Sequence, residues 1–191
     1  MTASASRVLI CGSRRWPWPD TITTLLDRAA TRHPNDLVII ETATTGAASA
    51  AHHWCTHHNL PAWRHRCHPL TPAPGRRSRT RYWSEAERNQ RILHDEGPRL
   101  VIAFHENFHP DHQGSTADLC RRALTHHIPV WLVPTADPDT GLWLHPSHYT
   151  DPHMQRLDQP WTPQATLPAA AEADLAQTEV QPCPTTPPTS P

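Results

Sequence analysis

The run Arg7-Val8-Leu9-Ile10-Cys11-Gly12-Ser13-Arg14-Arg15 decides the fold. Val8 to Cys11 is apolar without a break, which suits a strand buried on both faces, as in a parallel sheet. Gly12 permits a tight turn or a close backbone approach that a side chain would block. Ser13, Arg14 and Arg15 then stand where the strand ends. Ligands of open α/β sheets bind at the carboxyl ends of the strands. This stretch therefore reads as the first strand and first ligand loop of an α/β domain.

Moving outward, the same alternation recurs. Asp20 follows a Trp-Pro-Trp-Pro break and can cap a helix over residues 20–32, with Ile22, Leu25, Leu26 and Ala29 at helical spacing. Leu37-Val38-Ile39-Ile40 is a second buried strand, followed by the small hydroxyl loop Glu41 to Gly46. Alanine-rich residues 47–59 predict a helix, and 61–67 a weaker strand. A loop over 68–80 carries Arg76, Arg77 and Arg79 and leads to Arg81. Residues 83–94 predict a helix, 100–104 a strand, and 105–114 a polar loop. A helix capped by Ser115 or Thr116 and the strand 128–133 complete the pattern. Strands alternating with helices imply a three-layer, Rossmann-like α/β domain with a mostly parallel five-stranded sheet and right-handed crossovers.

Composition divides the chain at the same place. Residues 1–133 hold 16 arginines against 11 acidic residues, a net +5, whereas 134–191 carry a net −6. The last 58 residues include 12 prolines, too many for packed elements. The expectation is a flexible N-terminus over 1–6, one domain over 7–133, and a largely disordered, acidic Pro-rich tail over 134–191. Leu142-Trp143-Leu144 could dock briefly on the domain, and 169–176 could form a transient helix. Hydropathy averages −0.63 over the chain, in keeping with an unfolded part.

Lysine is absent, so Schiff-base and Walker A lysine chemistry are excluded. Five widely spaced cysteines without a C-x-x-C pair read as reduced thiols of a cytoplasmic protein. No secretory core and no apolar run near the ~20 residues of a membrane span are present. Histidines His52, His53, His57 and His58 crowd one segment with Cys55, and His65 and His68 another with Cys67. A helix would set His53 and His57 on one face, as zinc ligands often are. The H-E-x-x-H glutamate is missing and histidine is frequent everywhere, so neither a metal nor another cofactor is expected. Glu41 and Glu106 read as solvated charges at strand ends, and Cys11 as a small core residue.

Four segments, in order, resemble the YspA/YpsA-related group of the SLOG superfamily, small Rossmann-like domains. They are V-L-I-C-G-S-R at 8–14, Thr45-Gly46-Ala47 after the second strand, the pair Arg88-Asn89, and Gly114-Ser115-Thr116-Ala117-Asp118 followed by Ile128-Pro129-Val130. The sequence departs from the group at Thr42 and Ala43, which replace glycines, at Ala48, which replaces an aspartate, and at Ser115, which replaces a glycine. The resemblance implies binding of a nucleotide-derived small molecule. Gly12, Ser13, Arg14, Thr44, Thr45, Gly46, Arg88, Asn89, Gly114, Ser115, Thr116 and Asp118 are the expected ligand-binding residues. Arg88 would supply a bidentate phosphate contact and Asn89 a base or ribose contact, with a helix N-terminus favouring the anion.

Two other readings stay open. The LOG branch of the superfamily cleaves the N-glycosidic bond of nucleotides, using a glutamate whose position here is Leu119; no catalytic residue can be assigned on that basis. The arginines of 76–81 with Tyr82 and Trp83 combine charge with stackable rings, a combination suited to single-stranded nucleic acid. The expected partner is a small molecule and not a membrane, and homo-oligomer formation is left open.

Overall fold

The computed structural model describes residues 5–70 and 84–157. The arginine-rich loop with Tyr82 and Trp83, the segment from 158 onward and the helix expected over 169–176 lie outside the described residues. The elements are β1 (Ser6–Gly12), α1 (Pro19–Arg32), β2 (Leu37–Glu41), α2 (Ala47–His57), β3 (His65–Cys67), α3 (Glu85–Glu96), β4 (Leu100–Phe104), α4 (Ser115–Thr125), β5 (Val130–Val133), β6 (Leu142–Leu144) and α5 (Pro152–Leu157). The sheet order is β3-β2-β1-β4-β5-β6. All pairings are parallel except β5 with β6.

The unbroken apolar runs are explained by burial on both faces. Leu9, Cys11, Val38, Ile40, Val101 and Ala103 face one layer, with Ile92 and Leu93 of α3 and Leu119, Cys120 and Ala123 of α4. Val8, Ile10, Ile39, Ile102 and Phe104 face the other, with Ile22 and Leu26 of α1 and Ala47, Ala51 and Trp54 of α2. Neighbouring residues of each strand thus serve opposite layers, as the strand's period of two requires. α3 begins with a capping box in which Ser84 Oγ accepts from the Glu87 N–H and Glu87 reaches back to the Ser84 N–H. It ends at Gly97, in the left-handed conformation at φ 51°.

Three sequence expectations need correction. The sheet has six strands, not five, because Leu142–Leu144 adds an antiparallel edge strand to β5. The domain does not stop at 133. Leu144, Tyr149 and Met154 are buried in the same core as α4 and β4, so residues 134–157 complete that face. The prolines that suggested disorder open ordered turns instead: Pro138 and Pro146 start short 3-10 turns and Pro152 starts α5. That first position lacks an N–H partner in any helix, so proline costs nothing there. At the other end, Ser6 is not loose. It pairs with Leu37, and its N–H donates to the Asp36 carbonyl at 2.9 Å.

Candidate functional site

β1 and β4 are neighbours whose following helices lie on opposite layers. The crevice between their carboxyl ends is the topological switch point of an open α/β sheet. A cavity of about 360 Å³ opens there, within the usual ~300–1,000 Å³ of small-molecule sites. Gly12, Ser13, Arg14, Thr44, Arg88, Gly114, Ser115 and Thr116 all line it. The end of β1 with its following loop, the loops after β2 and β4, and the helices α3 and α4 thus bring eight of the twelve expected residues to one place.

Gly12 serves close approach. A Cβ there would overlap the Phe104 carbonyl oxygen and lie 2.9 Å from Ala47 Cβ. The Ser13 N–H donates to that same carbonyl at 2.7 Å, which turns the loop across the end of β4. Ser13 Oγ donates to Glu106 Oε1 at 3.1 Å. Arg14 reaches out to an ion pair with Glu85.

Arg88 is the buried charge of the site, with 5% exposure. Its Nη2 donates to Ser115 Oγ at 3.2 Å, and two longer contacts of 3.5 Å reach the Thr42 carbonyl and Asn89 Oδ1. Its Nε is buried with no hydrogen-bond partner among the described residues. Burial lowers the guanidinium pKa below its ordinary value, and Glu85 opposes that shift while Arg14 adds to it. The guanidinium stands beside the first turn of α4. The unpaired N–H groups at that helix start, together with its dipole, favour an anion.

The remaining four expected residues are placed differently. Thr45 is exposed and outside the cavity lining. Gly46 sits beneath the first loop at φ 70°, where a Cβ would overlap the Ser13 carbonyl oxygen and lie 2.6 Å from the Arg14 carbonyl carbon. Asn89, expected to contact a base or ribose, is fully buried and outside the cavity lining. Its Nδ2 donates to the Ser115 carbonyl and to Asp118 Oδ2, both at 3.0 Å, which fixes the start of α4. Asp118 accepts from Asn89 and from Arg122 Nε at 2.9 Å and lines a neighbouring, shallower cavity.

The sequence reading missed the far wall. His105, Asn107, Phe108, His109, His112 and Gln113 of the loop after β4 line the cavity. No motif marks them; only their position after a buried strand could have pointed there. His105 has its pKa lowered by burial, partly offset by Glu106. Leu119, at the position of the LOG glutamate, is a buried wall residue.

Glu41 is not a solvated strand-end charge. It is fully buried, and its Oε1 lies 3.0 Å from His52 Nδ1 and 3.3 Å from His65 Nε2. Burial alone would raise its pKa, but hydrogen bonds from Cys67, His52, the Ala43 N–H and His65 outweigh that and hold it ionised. The expected zinc-like pair His53 and His57 is exposed on α2. Glu106 is half-buried, with Oε2 lacking a partner.

The strand order and the crevice define a Rossmann-like α/β domain. Residues 6–68, from β1 to just beyond β3, match the family described as YAcAr: YspA, cpYpsA-related SLOG family. That segment belongs to the SLOG superfamily, in its YspA-related group. No curated protein and no solved structure shows a significant match. Arg88, Asn89 and Gly114 to Asp118 lie beyond the matched segment. Among the described residues no helix is long and apolar enough to cross a membrane.

Proposed function

We propose that the cavity at the ends of β1 and β4 binds a nucleotide-derived small molecule through a phosphate held by Arg88 and the start of α4. Membership of the matched segment in the SLOG superfamily points to nucleotide-related binding or LOG-like activity. The observation that carries the reading is Arg88 itself. It is a buried guanidinium on the cavity wall, with an unpartnered Nε and no carboxylate ion pair among the described residues. A buried charge is costly unless something pairs with it, and an anion in the cavity would do so. Ser13, Thr44, Ser115 and Thr116 add hydroxyls around the same space. Asn107, His109 and Gln113, from the loop after β4, offer donors and acceptors to a base or sugar in the same cavity.

Melting the protein against a panel of nucleoside monophosphates, diphosphates and ADP-ribose derivatives tests this. At least one should raise the melting temperature, and Arg88→Ala should abolish the rise. A flat response across the panel would sink the proposal.

The glycosidase alternative lacks its carboxylate. Leu119 occupies the glutamate position, and the cavity's one carboxylate among the described residues, Glu85, is engaged by Arg14. Release of free base from nucleoside monophosphates above the blank would reinstate it.

A further inference from the structure

Two glutamates are buried among the described residues, and they are treated differently. Glu96 is neutralised by two arginines. It pairs with Arg7 Nη2 and with Arg66 Nε at 3.2 Å, and His68 Nε2 lies 2.8 Å away. Glu41 is more deeply buried and has no arginine partner among the described residues. Its ion-pair partners are two imidazoles on a single oxygen, Oε1, while Oε2 accepts from the Ala43 N–H. An ionised carboxylate out of water needs a cation, and among the described residues no arginine supplies one.

The donors come from three different elements. Glu41 ends β2, His52 lies at the middle of α2, and His65 opens β3. Their ligand atoms all lie within 4.8 Å of one another. Zinc bound by nitrogen and oxygen at roughly 2.0–2.2 Å in tetrahedral geometry sets neighbouring ligand atoms about 3.3 Å apart. The separations from Glu41 Oε1 are 3.0 and 3.3 Å, so little movement is needed to admit the ion. Two imidazoles in three donors argue against calcium or magnesium, which prefer oxygen. The His52 side chain is 47% exposed, which leaves an entry route and a solvent-facing fourth position. The Ala43 N–H and the Cys67 thiol hydrogen-bond the Glu41 carboxylate and would orient it.

We infer that Glu41, His52 and His65 form a Zn²⁺ site with three protein ligands and one open position. It lies outside the lining of the phosphate cavity and is independent of the reading proposed for that cavity. Its immediate effect is mechanical: one ion ties β2, α2 and β3 together.

The test uses the full chain, stripped with a chelator and titrated calorimetrically with Zn²⁺, with Co²⁺ absorption reporting geometry. One saturable Zn²⁺ per chain is expected above the weak background of surface histidines, together with a raised melting temperature. Losing a ligand should cost more than losing a supporting residue, so His52→Ala and His65→Ala should each weaken binding at least ~100-fold. His53→Ala and His57→Ala should leave it unchanged. His52 is half-exposed, so its variant tests binding without threatening the core, and circular dichroism checks that the variant is folded. Glu41→Gln keeps the shape of the carboxylate and should also lose the ion. Absence of a saturable site in the wild type, or wild-type affinity in both His52→Ala and His65→Ala, would overturn the assignment.

Discussion

If Arg88 exists to meet a ligand, it should weaken the empty protein. Arg88→Met keeps an unbranched, flexible stem of similar length and removes the charge. The guanidinium makes one bond of ordinary length, 3.2 Å to Ser115 Oγ, two marginal ones of 3.5 Å, and none at the buried Nε. A buried donor without a partner costs roughly 1–3 kcal/mol, more for a charged group, whereas one good hydrogen bond returns only about 0.5–1.5 kcal/mol. Removing the group should therefore stabilise the ligand-free protein by about 1–2 kcal/mol. With a urea slope of about 2 kcal/mol/M, the midpoint should rise by roughly 0.5–1 M. Ligand reverses the order. At 100 times its dissociation constant a ligand adds about 2.7 kcal/mol to the wild type, and it should add nothing to the variant. Urea unfolding of both proteins, empty and with the best nucleotide from the panel, would show the curves exchanging places. A ligand-free Arg88→Met protein less stable than wild type by more than ~1 kcal/mol would refute the reasoning. Arg88 would then be a structural pin.

Other consequences are equally direct. Gly12→Ala should cost about 1–3 kcal/mol or more, because its Cβ would overlap the Phe104 carbonyl; Gly114→Ala, which meets open space, should stay within ~0.5 kcal/mol of wild type. Urea midpoints compare the two, and equal stability would contradict the packing. Tyr149→Phe removes a buried hydroxyl that has no partner, so stability should hold or rise by up to ~1 kcal/mol; a clear loss in thermal melts would mean the hydroxyl is satisfied. His105 has a depressed folded-state pKa, so the unfolded chain binds more protons as pH falls through the ordinary value of 6.5. Its contribution is present above that value and lost below it. Stability curves on either side of it should show wild type losing more than His105→Gln on acidification. Ending the chain at Val133 removes Leu144, Tyr149 and Met154 from the core and should abolish cooperative unfolding by heat.

Much of the sheet was legible because long-range burial wrote itself into local runs. β1, β2, β4 and β5 are each four or more apolar residues that face helices on both sides. β6 escaped because it is three residues long and only Leu144 is buried, with Leu142 and Trp143 exposed. The prolines around it count as disorder in a composition and as helix starts in a structure. At the helix starts the sequence erred by a residue or two: Gly114, not Ser115 or Thr116, caps α4 and does so without a side-chain bond, and Asp20 lies inside α1, whose cap is Trp18. Asn89 and Gly46 belong to the expected motifs yet lie outside the cavity lining, because a motif does not distinguish a residue at a cavity wall from one that supports the wall. The loop after β4 carries no motif at all. The Glu41 cluster was hidden for another reason. Its three members come from β2, α2 and β3, and helical spacing rules compare residues only within one element.

Gly46 has a consequence for how such a site can change. Because it packs directly beneath the Ser13–Arg14 backbone, with the Ala47 N–H donating to the Ser13 carbonyl at 3.2 Å, the first two loops form one rigid jaw. Any side chain at Gly46 would displace both loops together. The opposite jaw, residues 105–114, makes turns of its own, through the Asn107 N–H to His105 Nδ1 and the Asp111 N–H to His109 Nδ1, both at 3.3 Å, and is tied to its surroundings by Glu106, which accepts from Ser13 Oγ, and by Asp111, which accepts from the Thr150 N–H. On the proposed reading, phosphate recognition belongs to Arg88 and the start of α4, while new ligand preferences can accumulate on the loop after β4. Substitutions at Asn107, His109 or Gln113 are therefore the economical route to a different ligand on an unchanged fold.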